Sequence, residues 1–176
     1  MDIGPALPAD AAALTAIYAH HVVHGTASYE IVPPDEAEMA ARLARVLEAG
    51  WPWLVARDPD GAVIGFAYAT QFRNRAAYRH VCENSVYVRD DRRGEGVGRA
   101  LLALLIVAAE RAGFRQMVAV IGGAEPASAR LHAACGFVEK GRLAGIGRKH
   151  ETWLDTLYMQ RALGQGDATP PEVEPE

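Results

Sequence analysis

The fold is decided by one stretch of the chain, residues 85–98, which reads SVYVRDDRRGEGVG. The valine–tyrosine–valine alternation at its start predicts a strand over residues 81–88, with successive side chains on opposite faces. An Arg- and Gly-rich loop follows, and the apolar residues after it predict a long helix over residues 97–111 that ends at Gly113. Residues 117–121 predict a further strand. This order of strand, loop, helix and strand implies two neighbouring parallel strands joined by a right-handed crossover.

The loop in this unit has the composition of a phosphate-binding site. Its glycines let the backbone turn tightly and leave N–H groups open to a ligand, and the start of the helix adds partial positive charge. Four arginines surround it: Arg89, Arg92, Arg93 and Arg99. These features predict a pyrophosphate site, with a plain glycine-rich turn as the alternative. A P-loop is excluded because no Gly-Lys-Ser/Thr follows, and a dinucleotide fingerprint fits poorly because antiparallel strands come first.

Upstream, the sequence predicts two helices and a hairpin. Apolar residues spaced three and four apart indicate a helix over residues 8–24, and Pro33-Pro34-Asp35 starts a second helix that ends at Gly50. The buried stripe of this second helix is predicted to be Ala40, Leu43, Val46 and Leu47. Strands are predicted over residues 53–57 and 63–71, joined by a type I turn at Asp58-Pro59-Asp60-Gly61.

Downstream, a short helix is predicted over residues 126–135, followed by strands near 137–143 and 153–160. Residues 164–176 are rich in Gly, Pro and acids, which predicts a disordered tail behind a single domain of residues 1–163. The fold class is therefore α/β, with a mixed, partly antiparallel sheet flanked by helices.

Composition excludes several classes of protein. Half of the 176 residues are hydrophobic and 23% are charged, enough for one sizeable core. The net charge of −4 argues against nucleic acid as the main partner. The longest apolar run, residues 100–109, is too short to cross a bilayer, and no secretory signal is expected. Cys82 and Cys135 form no C-x-x-C pair, so we expect a reduced, cytoplasmic setting and no metal site.

The net charge conceals an uneven layout. Residues 1–72 hold nine acids and three bases, whereas residues 73–163 hold fifteen bases and nine acids, a net +6. The last thirteen residues hold four acids and no base. The asymmetry is either an accident of sampling or a sign that the middle segment faces an anion.

The pattern Arg93-x-x-Gly96-x-Gly98, following the strand, resembles the acyl-CoA pyrophosphate motif of the GNAT acetyltransferase superfamily, and residues 127–137 resemble its second CoA-side motif. Four segments are similar to the phosphinothricin and methionine sulfone/sulfoximine N-acetyltransferases: residues 25–30, 72–78, 82–88 and 149–155. The resemblance covers roughly residues 1–162 and implies a GNAT-like sheet with splayed central strands.

The resemblance also implies how acetyl-CoA is held. The backbone of Val86, Tyr87 and Val88 would pair with the pantetheine, and the Val88 N–H would stabilise the tetrahedral oxyanion. The pyrophosphate would lie on Arg93, Gly94, Glu95, Gly96, Val97 and Gly98. Glu125 stands where relatives commonly carry an Asn that contacts the cofactor, and Ser128 can supply a hydroxyl.

Two residues are candidates for proton transfer. Glu83 is the predicted base for the acceptor ammonium, directly or through water, with a structural pairing to Arg75 or Arg79 as the alternative. His132 occupies the place where many GNAT proteins carry a Tyr that protonates the leaving thiolate, and an imidazole can act as acid or base. Its alternative is a helix-surface histidine. The remaining histidines are predicted to be helix or loop residues: His20, His21, His24 and His80.

Arg73 and Arg75 are two residues apart, so an extended segment places both on one side. Guanidinium groups bind carboxylates in two parallel bonds, and the resemblance makes this pair the clamp for an amino-acid carboxylate, with a solvated basic face as the alternative. The resemblance also places Tyr29 and Tyr78 at the acceptor. His150 lies on a segment that approaches the partner subunit's site in relatives, which implies a homodimer.

These features predict direct acetyl transfer from acetyl-CoA to the amino group of a small amino-acid-like substrate, namely phosphinothricin, methionine sulfone or methionine sulfoximine. One alternative is another amine: a polyamine, an aminoglycoside or a protein N-terminus. A second alternative is a CoA-binding sensor without catalysis. A covalent acyl-cysteine is not expected, because nothing in the sequence lowers the thiol pKa of Cys135.

Overall fold

Our computed structural model describes residues 1–172, which contain seven strands and four α-helices. The strands are β1 (Asp2–Pro5), β2 (Trp53–Arg57), β3 (Val63–Gln71), β4 (Val81–Val88), β5 (Gln116–Gly122), β6 (Val138–Lys149) and β7 (Thr152–Ala162). The helices are α1 (Ala11–His24), α2 (Glu36–Glu48), α3 (Val97–Arg111) and α4 (Pro126–Ala134).

The strands form one mixed sheet in the order β1-β2-β3-β4-β5-β7-β6. Each neighbouring pair is antiparallel except β4 and β5, which are parallel. This confirms the predicted fold class and the parallel pair around the Arg- and Gly-rich loop. The first strand was not predicted, because four residues containing a proline at the sheet edge carry no periodic signal.

The parallel pair is short. It covers only Val81–Glu83 against Gln116–Val118, although β4 continues to Val88 and β5 to Gly122. Beyond this point the two strands diverge and leave a gap in the middle of the sheet.

The two faces of the sheet carry separate cores. Leu101, Leu102 and Leu105 of α3 are fully buried on one face, and the partly buried Val86 and Val88 pack against this cluster. On the other face α1 and α2 cover the sheet, and Tyr87 packs there. Successive residues of β4 therefore point to opposite faces, as the alternation predicts. Gly98 of α3 faces β4, and a Cβ at this position would lie 3.5 Å from the Val88 Cγ2 and 3.8 Å from the Val86 Cγ1.

Helix α2 differs from its prediction in one respect. The Asp35 side chain caps it by accepting a hydrogen bond from the Glu38 N–H at 2.8 Å. Its buried residues are Met39, Leu43 and Val46, whereas Ala40 is half-buried and Leu47 is exposed. The predicted stripe was therefore shifted by part of a turn, because Leu47 lies on the flank of the helix.

The last two strands are longer than predicted. They meet in a tight turn at His150 and Glu151, whose φ angles are +48° and +61°. Strand β6 lies at the sheet edge with most of its residues exposed, so alternation of apolar and polar residues does not mark its length. No helix among the described residues is long and apolar enough to cross a membrane.

The chain after β7 returns towards β5. The Arg115 guanidinium donates to the Thr169 carbonyl at 3.0 Å and to the Thr169 hydroxyl at 2.7 Å. The domain boundary at residue 163 and the disordered tail beyond it stay predictions, and residues 173–176 of that tail lie outside the described residues.

Helix α3 offers a matched pair for testing the core. Leu102→Ala should lower the free energy of unfolding by roughly 2–5 kcal/mol, because it removes a fully buried side chain and leaves a cavity. Leu104→Ala, on the exposed side of the same helix, should change it by less than about 0.5 kcal/mol. Urea denaturation of both variants measures the difference. Equal losses would show that α3 does not pack as described.

Candidate active site

A cavity of about 450 Å³ occupies the gap between β4 and β5. It brings together six of the residues predicted for the site: Tyr29, Glu83, Val86, Tyr87, Ser128 and His132. These residues come from the loop after α1, from β4 and from α4, which lie far apart in the sequence. The predicted acid–base candidates and part of the predicted CoA-binding strand therefore share one cavity.

Glu83 and His132 stand on opposite sides of the sheet. Glu83 shares the face of Tyr87, which is covered by α1 and α2, because residues two apart on a strand point the same way. Asn84 points to the other face, where its side chain meets His132 of α4. A molecule in the gap can thus be reached by Glu83 from one face and by His132 from the other.

The Glu83 carboxyl is partly buried, which raises its pKa, and the nearby Arg73 cation opposes this to a smaller extent. Within the described residues no ion pair joins Glu83 to an arginine. A carboxyl group with a raised pKa and no fixed partner is suited to accept a proton.

His132 is only 4% exposed, so the alternative of a helix-surface histidine is wrong. Its Nδ1 lies 2.8 Å from the Ser128 carbonyl oxygen, and its Nε2 lies 2.9 Å from the Asn84 Oδ1. The Phe137 ring packs edge-on against it, with the ring centroids 5.0 Å apart. Burial lowers the pKa of His132, and the hydrogen bond with the Ser128 carbonyl raises it by less.

Beyond Glu83 the backbone of β4 turns groups towards the gap that do not pair with β5. The Arg89 N–H donates to the Ile64 carbonyl on β3 at 2.9 Å, so the backbone groups of Val88 and Val86 point the opposite way, towards the gap. That direction is the one which the predicted pairing with a pantetheine requires. The assignment of Val86, Tyr87 and Val88 to the cofactor stays a prediction.

His21 makes two contacts near the end of β4 that no sequence pattern predicts. Its Nε2 donates to the Val88 carbonyl at 2.9 Å, and its Nδ1 lies 3.4 Å from an Arg93 nitrogen. Burial lowers the pKa of His21, which favours the neutral ring that this pair of partners fits. The helical prediction for His21 is right, but α1 also brings it to the end of β4, 67 residues away in sequence.

The Arg- and Gly-rich loop adopts the turn that its glycines allow. Gly94 and Gly96 have φ angles of +80° and +82°, and Gly96 is the residue before α3. The first bond inside α3 runs from the Ala100 N–H to the Gly96 carbonyl, so the N–H groups of residues 97–99 have no intrahelical acceptor. An anion is favoured at such a helix start.

The arginines of this loop are paired with carboxylates. Salt bridges join Arg89 to Asp91 at 2.6 Å, Arg92 to Asp58 at 3.2 Å and Arg93 to Asp90 at 3.1 Å. The Glu95 carboxylate lies 3.5 Å from Arg92. At this loop the positive charge of the arginines is thus balanced by nearby carboxylates, one of which, Asp58, lies on the turn between β2 and β3.

Glu125 has a structural contact. Its side chain accepts a hydrogen bond from the Ser128 N–H at 2.7 Å, which caps the start of α4. The same first turn presents Ser128 and, one turn later, His132. A cofactor contact for Glu125 stays a prediction.

Tyr29 fastens the loop after α1 to two strands. Its hydroxyl donates to the Asp155 carbonyl at 2.9 Å and lies 2.8 Å from the Thr156 hydroxyl, and the Gly123 N–H lies 3.2 Å from the same oxygen. The ring covers Gly122 and Gly147, where an added Cβ would come within 2.9 and 2.7 Å of it. The prediction that Tyr29 lines the site is consistent with its position at the wall of the cavity.

The other predicted acceptor residues do not line the cavity. The Arg73 guanidinium lies over the Phe72 ring, 4.7 Å from its centroid, within electrostatic reach of Glu83. Arg75 and Tyr78 are exposed on the turn between β3 and β4. The exposed His150 lies at the β6–β7 turn, with its Nε2 3.3 Å from the Gly25 carbonyl.

Several residues of the cavity were not predicted: Tyr18, Ser28, Tyr68, Asn84 and Ser85. Burial raises the pKa of Tyr68 to about 12, so this phenol stays protonated at neutral pH. Burial also raises the pKa of Cys82 to about 12 and raises that of Cys135, as expected for thiols that form no acyl intermediate. In the described residues no group of three or more His, Cys, Asp or Glu could hold a metal ion.

Comparisons with known proteins agree with this geometry. Residues 5–158 match the family model described as "Acetyltransferase (GNAT) domain". The chain is 54% identical to the phosphinothricin N-acetyltransferase of Alcaligenes faecalis, over 93% of this chain and 83% of that protein. It is 38% identical to the L-methionine sulfoximine/L-methionine sulfone acetyltransferase of Pseudomonas aeruginosa, over 92% and 94% of the two chains. A crystal structure of a phosphinothricin acetyltransferase from Sinorhizobium meliloti in complex with AcCoA superposes with a TM-score of 0.95, at 50% identity, covering 97% of this chain and 92% of that one.

The cap at Glu125 can be separated from a cofactor contact. Glu125→Ala should lower the free energy of unfolding by about 1 kcal/mol, because the Ser128 N–H loses its acceptor. Glu125→Asp, which keeps a carboxylate at the helix start, should retain most of the stability. Urea denaturation measures both. A stable Glu125→Ala protein would argue against the cap.

Proposed function

Because the chain belongs to the GNAT family of acetyltransferases, we propose that its acceptor is phosphinothricin, methionine sulfone or methionine sulfoximine. The chain is an N-acetyltransferase that uses acetyl-CoA as its cosubstrate and acts on an amino-acid-like substrate. The proposal extends this to the compounds named for its relatives. These acceptors each carry an α-amino group, a carboxylate and an oxidised sulfur or phosphorus.

The observation that carries the proposal is the cavity in the gap, which has Glu83 on one face of the sheet, His132 on the other and the unpaired backbone of β4 between them. Acyl transfer to an amine needs a base, an acid and a stabilised oxyanion. The cavity offers a candidate for each of these roles.

The reaction begins with loss of a proton from the acceptor ammonium. Glu83, whose pKa is raised by burial, takes this proton directly or through water and leaves a nucleophilic amine. The amine then attacks the thioester carbonyl carbon. The developing oxyanion is stabilised by the Val88 N–H, which points into the gap and needs no reorganisation at the moment of attack.

The pyrophosphate of acetyl-CoA binds at residues 93–98. The N–H groups at the start of α3 face the anion, and the arginines exchange part of their pairing with Asp58, Asp90 and Asp91 for pairing with phosphate. Helix α3 packs on the same face of the sheet as Val86 and Val88. The cosubstrate therefore approaches the gap from the side of His132.

The acceptor approaches from the other side, where Glu83 and the loop fastened by Tyr29 lie. Arg73 and Arg75, at the edge of this side, bind the acceptor carboxylate. A polyamine or an aminoglycoside is cationic and would be repelled by the same two groups. The amine panel below distinguishes a protein N-terminus from the free amino acids as the acceptor.

We further propose that two copies of the chain associate and that the protein works in the cytoplasm, without nucleic acid or membrane as a partner. Strands β6 and β7, at and next to the sheet edge, expose four large apolar side chains, which are divided between the two faces of the sheet: Val138, Leu143, Ile146 and Trp153, the last 65% exposed. Such a surface favours association. The turn between these strands carries His150, which a second copy could reach. The two free cysteines, Cys82 and Cys135, suit a reducing compartment.

An amine panel tests the acceptor. Purified protein, acetyl-CoA and each amine are mixed, and release of the CoA thiol is followed. We expect turnover with phosphinothricin, methionine sulfone and methionine sulfoximine, and none with spermidine, kanamycin or an N-terminal peptide. Turnover of spermidine alone would overturn the proposal. Binding of acetyl-CoA, seen as a raised melting temperature, without turnover of any amine would favour a sensor.

The carboxylate clamp is tested by Arg75→Ala. Loss of one guanidinium should raise the KM for the acceptor by about tenfold or more and leave the KM for acetyl-CoA nearly unchanged. Arg111→Ala, which removes an equal charge from the exposed end of α3, serves as the control and should alter neither constant. If Arg75→Ala changed both KM values equally, the clamp would be refuted.

A further inference from the structure

His21 connects the end of β4 with the Arg- and Gly-rich loop. Its Nε2 lies 2.9 Å from the Val88 carbonyl oxygen, and its Nδ1 lies 3.4 Å from a terminal guanidinium nitrogen of Arg93. The three residues come from α1, from β4 and from the loop before α3. His21 does not line the cavity in the gap, so its ring is placed to act through these two partners and not on the reacting atoms.

The two partners fix where the proton of the His21 ring lies. A backbone carbonyl only accepts hydrogen bonds, so Nε2 carries the N–H, and a guanidinium only donates, so Nδ1 offers its lone pair. Burial lowers the pKa of His21, and the hydrogen bond with the Val88 carbonyl opposes this to a smaller extent. The nearby Arg93 and His20 side chains lower this pKa as well, whereas Asp90 raises it. The neutral ring in this single tautomer is therefore the form that fits.

The Val88 carbonyl gives the ring a rigid anchor. It belongs to the peptide between Val88 and Arg89, whose N–H donates to the Ile64 carbonyl of β3 at 2.9 Å. This peptide is thus held on one side by the sheet and on the other by His21. A carbonyl oxygen has two lone pairs, so the contact with His21 leaves one of them for a bound ligand.

Helix α1 holds the His21 ring from the other side. Its residues Tyr18 and Val22 are buried against the sheet, and the Tyr87 ring packs against His21 with the centroids 5.4 Å apart. Groups on rigid helices and strands are held more precisely than groups on loops. The exposed partner is Arg93, whose side chain is 56% exposed. The histidine therefore restrains the arginine, and not the reverse.

Arg93 has two contacts that orient its guanidinium. Its Nε pairs with the Asp90 carboxylate at 3.1 Å, and a terminal nitrogen meets the His21 ring. These contacts use two of the five N–H donors of a guanidinium and leave three for a ligand. The carboxylate cancels part of the arginine's charge, whereas the neutral imidazole orients the group and leaves its charge available to an anion. A long side chain that is held before its ligand arrives loses less entropy on binding.

We propose that His21 is a positioning residue for acetyl-CoA: from its anchor on the Val88 carbonyl, it holds the Arg93 guanidinium in the orientation that receives the pyrophosphate. This inference rests on the proposed pyrophosphate site at residues 93–98. Val88 contacts the thioester end of the cosubstrate through its N–H, and Arg93 contacts the pyrophosphate end. Because His21 bonds to both residues, it fixes the position of one contact relative to the other.

Binding of acetyl-CoA to the free protein tests the proposal without an acceptor amine. Calorimetry gives the Kd for acetyl-CoA in the unchanged protein and in His21→Phe, which keeps a ring against Tyr87 and removes both nitrogens. We expect the Kd to rise about threefold to tenfold, because Arg93 then has to be immobilised during binding. His24→Phe, at an exposed position in the same last turn of α1, is the matched control and should leave the Kd unchanged. An unchanged Kd in His21→Phe would overturn the proposal.

His21→Gln tests whether the donor and the acceptor of the ring matter. A glutamine amide offers an N–H to the Val88 carbonyl and an oxygen to Arg93, so this variant should bind acetyl-CoA more tightly than His21→Phe does. A folded His21→Gln that binds as weakly as His21→Phe would contradict the proposal. Thermal melting establishes that each variant is folded, and His21→Leu replaces His21→Phe if the larger ring prevents folding.

Arg93→Ala separates this inference from the proposed pyrophosphate site. It should raise the Kd at least as much as His21→Phe does, and the double variant should bind no more weakly than Arg93→Ala alone, because His21 acts through Arg93. If Arg93→Ala raises the Kd and His21→Phe does not, the inference alone is refuted. If Arg93→Ala leaves the Kd unchanged, the pyrophosphate contact at this arginine is refuted, and the inference with it. A further loss in the double variant, as large as that of His21→Phe alone, would show that His21 does not act through Arg93.

The mobility of the Arg93 side chain supplies a readout that a merely structural role would not move. In the free protein, ¹⁵N relaxation of the arginine Nε–H groups reports motion on the picosecond-to-nanosecond timescale. We expect greater motion of the Arg93 group in His21→Phe than in the unchanged protein. Arg111, at the exposed end of α3, is the internal comparison and should not change. Equal motion of Arg93 in the two proteins would contradict the positioning role.

Discussion

The divergence of β4 from β5 after Glu83 and Val118 is the constraint on which the rest of the site depends. Backbone N–H and C=O groups in a sheet interior normally pair, and here several are left without a strand partner. The gap opens a cavity through the middle of the sheet, and because side chains alternate along β4, it is reached by Glu83 from one face and by Asn84 with His132 from the other. Glu83 and Val118 are the last residues that pair between the two strands, and directly after them the Asn84 side-chain amide donates to the Val118 carbonyl.

The charged groups also differ between the two faces of the sheet. The loop before α3 contains several arginines, and four ion pairs join three of them to nearby carboxylates. An anionic cosubstrate therefore competes with internal acids for three of the four arginines, whereas Arg99 forms no ion pair among the described residues. On the opposite face the only arginine that affects the pKa of Glu83 is Arg73, and its effect is weaker than that of burial.

Sequence patterns predicted the strands and helices around the gap well, because α3, β2, β3 and β4 have clear periodicity and clear stop signals. They missed β1, which is four residues long, and the full length of β6, whose exposed residues do not alternate. Glu83, Tyr29 and His132 were found through family-like segments. Asn84 and His21 were missed because their partners lie 34 and 67 residues away, and no local pattern marks a hydrogen bond between distant elements.

The Tyr29 ring lies against two positions that have no side chain: Gly122 at the end of β5 and Gly147 of β6. A methyl group at Gly147 would collide with the ring, whereas one at Gly122 would also lie 2.7 Å from the carbonyl oxygens of Thr26 and Ala27. A smaller residue at position 29 would therefore make room for a side chain at Gly147 but not at Gly122, where the backbone of the loop after α1 still blocks one. This wall of the cavity can thus be reshaped by paired substitutions at positions 29 and 147, while the part at Gly122 is held by backbone contacts.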